Sequence, residues 1–100
     1  MTYIVPSKAN IRNIKDIHAD LLTYIKNNDE IKVDLDGCEE NDLSLVQLIE
    51  SGRKTAEAAG KPISLANPVS DSIKNTLDRA GLFGAFSKDD LKFWLHKEVL

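Results

Sequence analysis

Residues 31–59 read IKVDLDGCEENDLSLVQLIESGRKTAEAA, and the spacing of apolar positions changes character partway along. Ile31, Val33 and Leu35 alternate with Lys32, Asp34 and Asp36, the pattern of a strand with one face turned to a core. From Leu43 the spacing becomes helical. Leu45, Leu48, Ile49, Gly52, Ala56 and Ala59 fall on one stripe, and Gln47, Glu50, Lys54 and Glu57 fall on the side expected to face water. Asp42 stands where a helix N-cap belongs, and Gly60 stands where a left-handed glycine ends one. The stretch therefore reads as strand, acidic loop and helix.

The same grammar extends in both directions. Downstream, Pro62, Ile63 and Leu65 form a short strand closed by Asn67 and Pro68, and Val69, Ile73, Leu77 and Ala80 repeat at helical spacing before Gly81. Ser87 and Asp90 make an S-x-x-D capping box ahead of a last helix carrying Leu91, Trp94, Leu95 and Leu100. Phe93, Trp94 and Leu95 are expected to pack in the core rather than mediate self-association. Upstream, Ile14, Ile17, Leu21 and Ile25 mark a helix that ends at Asn27, Asn28 and Asp29. It is preceded by a β-prone start from Met1 to Val5 and a second short extended piece around Ala9 to Ile11. Helices placed between strands imply βα crossovers, hence an α/β fold with a largely parallel or mixed sheet and about four α-helices.

With 100 residues the chain has the size of one domain, 1–100. Its 42% hydrophobic and 29% charged composition is that of a folded protein. Thirteen Lys and Arg against sixteen Asp and Glu give a net charge of −3, which argues against nucleic acid as a partner. No apolar run reaches the roughly 18–20 residues of a spanning helix, and no signal-peptide pattern opens the chain. The expectation is a cytoplasmic protein without direct membrane insertion.

Sites of chemistry are scarce. Glycine-rich phosphate loops, nucleophile elbows and paired zinc ligands do not occur in the sequence, so neither a cofactor nor a metal site is expected. His18 reads as a surface residue on the first helix and His96 as a boundary residue beside Trp94. The single cysteine, Cys38, precedes Glu39 and Glu40, whose charge raises a thiol pKa, so it reads as a structural thiol. Asp34 and Asp36 fall on one strand face by the period of two. With Glu39, Glu40 and Asp42 they form an acidic edge best read as a solvated loop.

The order of these elements resembles the STAS domain, named for sulphate transporters and bacterial anti-sigma factor antagonists. The likeness is carried by the strand ending in acids, the D-L-S-L opening of the next helix, Gly60, the strand at 62–65, and N-P-V-S-D-S-I-K-N-T-L-D-R-A-G-L at Asn67 to Leu82 followed by Phe83. It covers residues 30–84 well and the first thirty by pattern. The resemblance implies a non-enzymatic interaction module: a mixed sheet flanked by helices, docking a protein partner through the start of the helix at 42–47. In such domains a Ser or Thr there can be phosphorylated to switch docking. The candidate phosphoacceptor is Ser44, one residue beyond the family's usual position, which Leu43 occupies. A phosphate at a helix N-terminus suits the dipole and is expected to leave the fold intact.

The partner surface so implied comprises Asn41, Asp42, Leu43, Ser44 and Gln47 with Asn67 and Ser70, since parallel strands bring both helix starts to one sheet edge. The partner would be a regulatory protein of bacterial signal transduction, an anti-sigma factor or kinase or a chemosensory component. The alternative is the ATPase subunit of a lipid-asymmetry ABC transporter, with this chain as its cytoplasmic accessory subunit. An enzyme or small-ligand sensor is the remaining class, disfavoured because that edge offers carboxylates and amides but no base, nucleophile or metal set.

Overall fold

Strand β3, Ile31–Asp34, lies between β1, Tyr3–Ile4, and β5, Ile63–Leu65, in the computed structural model, which describes residues 2–96. Both pairings are parallel, with Tyr3 opposite Val33 and Ile31 opposite Ile63. A second parallel pair joins β2, Lys8–Ala9, to β4, Glu40–Asn41. Every pairing among the described residues is thus parallel, so the expected mixed sheet is corrected to parallel sheets in an α/β fold. The chain returns through a helix between neighbouring strands, which sets their directions alike.

Helix α1, Ile14–Asn27, connects toward β3, and α2, Leu43–Ala58, connects β3 to β5. The two crossovers step the same way across the sheet, so right-handed connections set both helices on one face. Burial follows the period of two. Ile31, Val33, Leu65 and Val5 are buried beneath the helices, while Lys32, Ser64 and Ile4 are exposed on the other side. The helices supply Ile17, Leu21 and Ile25 from α1 and Leu45, Leu48, Ile49 and Ala56 from α2. Val46 is buried as well, and Ala59 lies exposed as the helix cap rather than on the stripe.

Gly52 fixes how near the two helices come. A Cβ built there would lie 3.0 Å from Leu21 Cδ2 and 3.7 Å from Ile25 Cδ1. Glycine inside a helix costs about 1 kcal/mol against alanine, and here that cost is offset by a close helix contact. Tyr24 ties α1 to the central strand: its hydroxyl accepts from Lys32 N–H at 3.2 Å and donates to Lys32 C=O at 3.3 Å.

Helix α3, Asp71–Arg79, starts at Ser70, not at Val69, because Ser70 Oγ accepts from Ile73 N–H. Val69 is buried just before it, and its N–H donates to Trp94 C=O. A 3-10 turn at Phe83–Ala85 leads to α4, Lys88–Leu95, whose capping box between Ser87 and Asp90 is formed. Gly60 and Gly81 both have φ of +71°, the left-handed geometry expected at helix ends. Trp94 is fully buried and Phe93 nearly so, as expected of core residues. Leu100 lies outside the described residues.

Replacing Gly52 with valine places branched carbons against Leu21 and Ile25. We expect it to lower stability by about 1–3 kcal/mol, read as a drop in the urea midpoint at unchanged slope.

Candidate functional site

The start of α2 is organised by one carboxylate. Asp42 has extended backbone angles and caps the helix, its Oδ1 accepting from Ser44 N–H at 2.9 Å and from the Ser44 hydroxyl. Its Oδ2 accepts from Ile11 N–H at 3.1 Å, thirty-one positions earlier in the chain. These bonds, foremost that from the Ser44 hydroxyl, hold the Asp42 carboxyl below the usual carboxylate range. The carboxylate therefore clasps the turn at 10–13 to the first turn of α2.

That turn was expected to be extended. It is instead folded by asparagines: Asn10 N–H donates to Asn13 Oδ1, Arg12 N–H donates to Asn10 Oδ1, and Asn13 Nδ2 donates to Lys8 C=O. The strand accordingly stops at Ala9, and Ile11 projects with 74% of its surface exposed. Leu43, the first residue of α2, is 44% exposed. Both residues adjoin Asp42, one by chain neighbourhood and one by its backbone bond, and Gln47 is exposed one turn further along α2.

Asn41 joins the site to α3. Its Nδ2 donates to Ser72 Oγ at 2.9 Å, and its Oδ1 accepts from the hydroxyl of buried Thr76. Ser72 in turn donates to Glu39 C=O. Between Asn41, Asp42 and Leu43 on one wall and Thr76, Arg79 and Ala80 on the other runs a cleft of about 420 Å3. Sequence reasoning missed Ile11, Ser72, Thr76 and Arg79, since only folding brings them to Asp42 and Asn41. Ser70 is half-buried as the α3 cap, and Asn67 is exposed in the loop after β5. The direct link between the two helix starts is Asn41 with Ser72.

The acidic edge is less uniform than its sequence suggests. Asp34 ends β3 and accepts from Asp36 N–H at 2.8 Å, so the two form a turn rather than a pair on one strand face. Glu40 accepts from Asn10 Nδ2 at 2.6 Å. Cys38 is buried and free, and burial, ahead of the nearby Glu40 charge, pushes its thiol up. Glu50, expected in water, accepts from Trp94 Nε1 at 3.0 Å and from Arg53 at 2.9 Å. His18 is half-buried, and His96 is the exposed C-cap of α4 with φ of 54°. Among the described residues no His, Cys, Asp and Glu side chains gather as three or more metal ligands would, and no helix is long and apolar enough to cross a membrane. No protein-family model matches the chain, and no curated protein matches it by sequence.

Ser44 is where geometry changes the sequence expectation. Phosphorylation would replace the hydroxyl proton that bonds Asp42 and set a charge of about −1.5 to −2 against that carboxylate. The helix dipole offers typically about 0.3–1 kcal/mol in return at an exposed site. The phosphate would therefore open the clasp rather than leave this end of the fold unchanged.

A carboxyl whose pKa is lowered on folding stabilises the folded state above its unfolded value, about 3.9 for Asp, and loses that contribution as pH falls through the folded value. Asp42→Asn keeps a capping group but no charge. We expect the stability gap between wild type and Asp42→Asn in urea titrations to be largest near neutral pH and to shrink below about pH 4.

Proposed function

We propose that this chain is a protein-docking module of the STAS type, acting in bacterial regulation by binding a partner at the first turn of α2. The observation that carries the proposal is the pair of exposed large aliphatic residues joined to Asp42, Leu43 as its chain neighbour and Ile11 through its backbone N–H. Isolated exposed aliphatic residues are ordinary, but two tied to one carboxylate, with Leu43 lining a polar cleft, resemble the apolar centre and polar rim of an interface. The α/β order with four helices agrees with the coarse architecture that the resemblance of residues 30–84 implies, while the all-parallel pairing of the described strands departs from its mixed sheet.

The clasp bears on the choice of partner. Ser44 already spends its hydroxyl on Asp42, which favours constitutive docking over a phosphate switch. Such permanent packing suits the second reading, an accessory subunit seated on a transporter ATPase. Either partner would cover Leu43 and Ile11, with Asn41 and Gln47 at the rim and Asn67 and Ser70 on the adjoining loop.

Affinity capture from the native cell tests this. Leu43→Glu and Ile11→Glu should each lose the captured partner while changing stability by less than about 0.5 kcal/mol, because both side chains are exposed. Recovery of the same partner at wild-type yield from both variants would sink the docking surface. Ser44→Ala should retain the partner. Ser44→Asp should lower both partner yield and thermal midpoint if the clasp governs docking, and equal recovery from wild type, Ser44→Ala and Ser44→Asp would exclude a role for phosphorylation.

A further inference from the structure

The outer edge of β5 carries backbone groups that no other described residue pairs with. Pro62 C=O accepts from Ile31 N–H and Ala66 N–H donates to Val33 C=O, so the even-numbered positions of this strand serve β3. Strand alternation then turns the N–H and C=O of Ile63 and Leu65 the other way. Leu65 C=O meets a ring nitrogen of His96 at 3.1 Å. Among the described residues no group pairs with Ile63 N–H, Ile63 C=O or Leu65 N–H.

These groups line a groove rather than open solvent. It holds about 430 Å3 between β5 and α4, floored by Ile63, Leu65 and Phe93. Helix α4 stands beside the edge without consuming it, because its polar anchors go to α2: Arg53 bridges Glu50 at 2.9 Å and Asp90 at 2.8 Å and lies 4.3 Å over the Phe93 ring. An unpaired strand edge is a template for another strand. A donor, an acceptor and a second donor in ladder spacing match the backbone of an extended peptide, and the three residues of β5 set the length of the match.

We propose that this groove binds an extended segment of a partner protein, which adds to β5 as a further strand. Backbone pairing to Ile63 and Leu65 supplies the ladder, and aliphatic side chains on the inward positions rest on Phe93. Charge selects the outward positions. Arg53 is already matched by Glu50 and Asp90, whereas Glu57 and Asp89 favour basic residues on the segment and Lys92 favours an acidic one. The site is separate from the start of α2 and does not depend on docking there.

The experiment pans a random heptapeptide library on the full-length chain and follows the best binder, made synthetically, by NMR and calorimetry. Binding should slow amide hydrogen exchange at Ile63 and Leu65. N-methylation of the peptide at alternate positions should cost about tenfold or more in affinity in one register and little in the other, as loss of a ladder hydrogen bond requires. Ile63→Pro removes a donor that no group among the described residues uses. It should weaken binding several-fold with the circular dichroism spectrum unchanged, and the methylation series stands even if this variant misfolds. The proposal is overturned if no peptide binds, if binding leaves those two amides unprotected, or if methylation has no alternating effect. Peptides that instead perturb Ile11 and Leu43 would overturn it while supporting the docking surface on α2.

Discussion

Three short parallel strands cannot keep both faces wet, and everything else in this molecule follows from how one face is covered. The central strand contributes only Ile31 and Val33 to the covered side, both fully buried. Parallel sheets are seldom left open, because their pairing is weaker per residue and their crossovers bring helices onto them. Here α1 and α2 share the burden, and they can do so only by packing tightly side by side. Gly52 permits that approach, with Leu21 filling the space a side chain would take. Tyr24 completes the cover from the same layer by pairing with both backbone groups of Lys32.

Local chemistry was legible in the sequence, and pairings between distant residues were not. The N-cap at Asp42, the left-handed glycines at 60 and 81 and the capping box at Ser87 each depend on a few adjacent residues, and the structure bears them out. Strand β4 left no signal, because Glu40 and Asn41 carry no apolar alternation and are paired through backbone with β2, where an extended piece was expected at Ala9. Ile11 was misplaced for a related reason. Its apolar side chain extended a β-prone pattern, but Asn10 and Asn13 bond to nearby backbone and fold the chain into a turn. Glu50 shows the converse: a charged residue on the polar side of a helical wheel becomes half-buried when Trp94 arrives from α4 and bonds it alongside Arg53 of its own helix.

The candidate surface was half legible for the same cause. Asp42, Leu43 and Ser44 could be placed at a helix start from sequence, and the cap fixes their geometry. What could not be read is that Asp42 has two oxygens with separate tasks, one closing α2 and the other holding Ile11. That second bond converts an ordinary helix cap into the junction of two segments. It also brings a second aliphatic side chain to the surface beside Leu43.

The last helix answers a different constraint, the edge of β5. A helix can protect an edge either by bonding to it or by standing in front of it. Among the described residues only His96 bonds to that edge, at the final acceptor, while the helix body is tied to α2 through Arg53. Burial opposes the Arg53 charge, yet the bonds it donates to Asp90 and Glu50 outweigh that opposition and hold the guanidinium firmly protonated. Asp90 in turn is held below the usual carboxylate range, first by Ser87 N–H and then by Arg53, so one residue both caps α4 and anchors it. The anchor stays charged across the physiological range, and α4 is held beside β5 by this side-chain link together with the backbone bond from Val69 N–H to Trp94 C=O. A groove with unpaired amides on one wall is the geometric consequence: the sheet ends at β5 because a helix stands guard there, and not because its hydrogen bonds are used up.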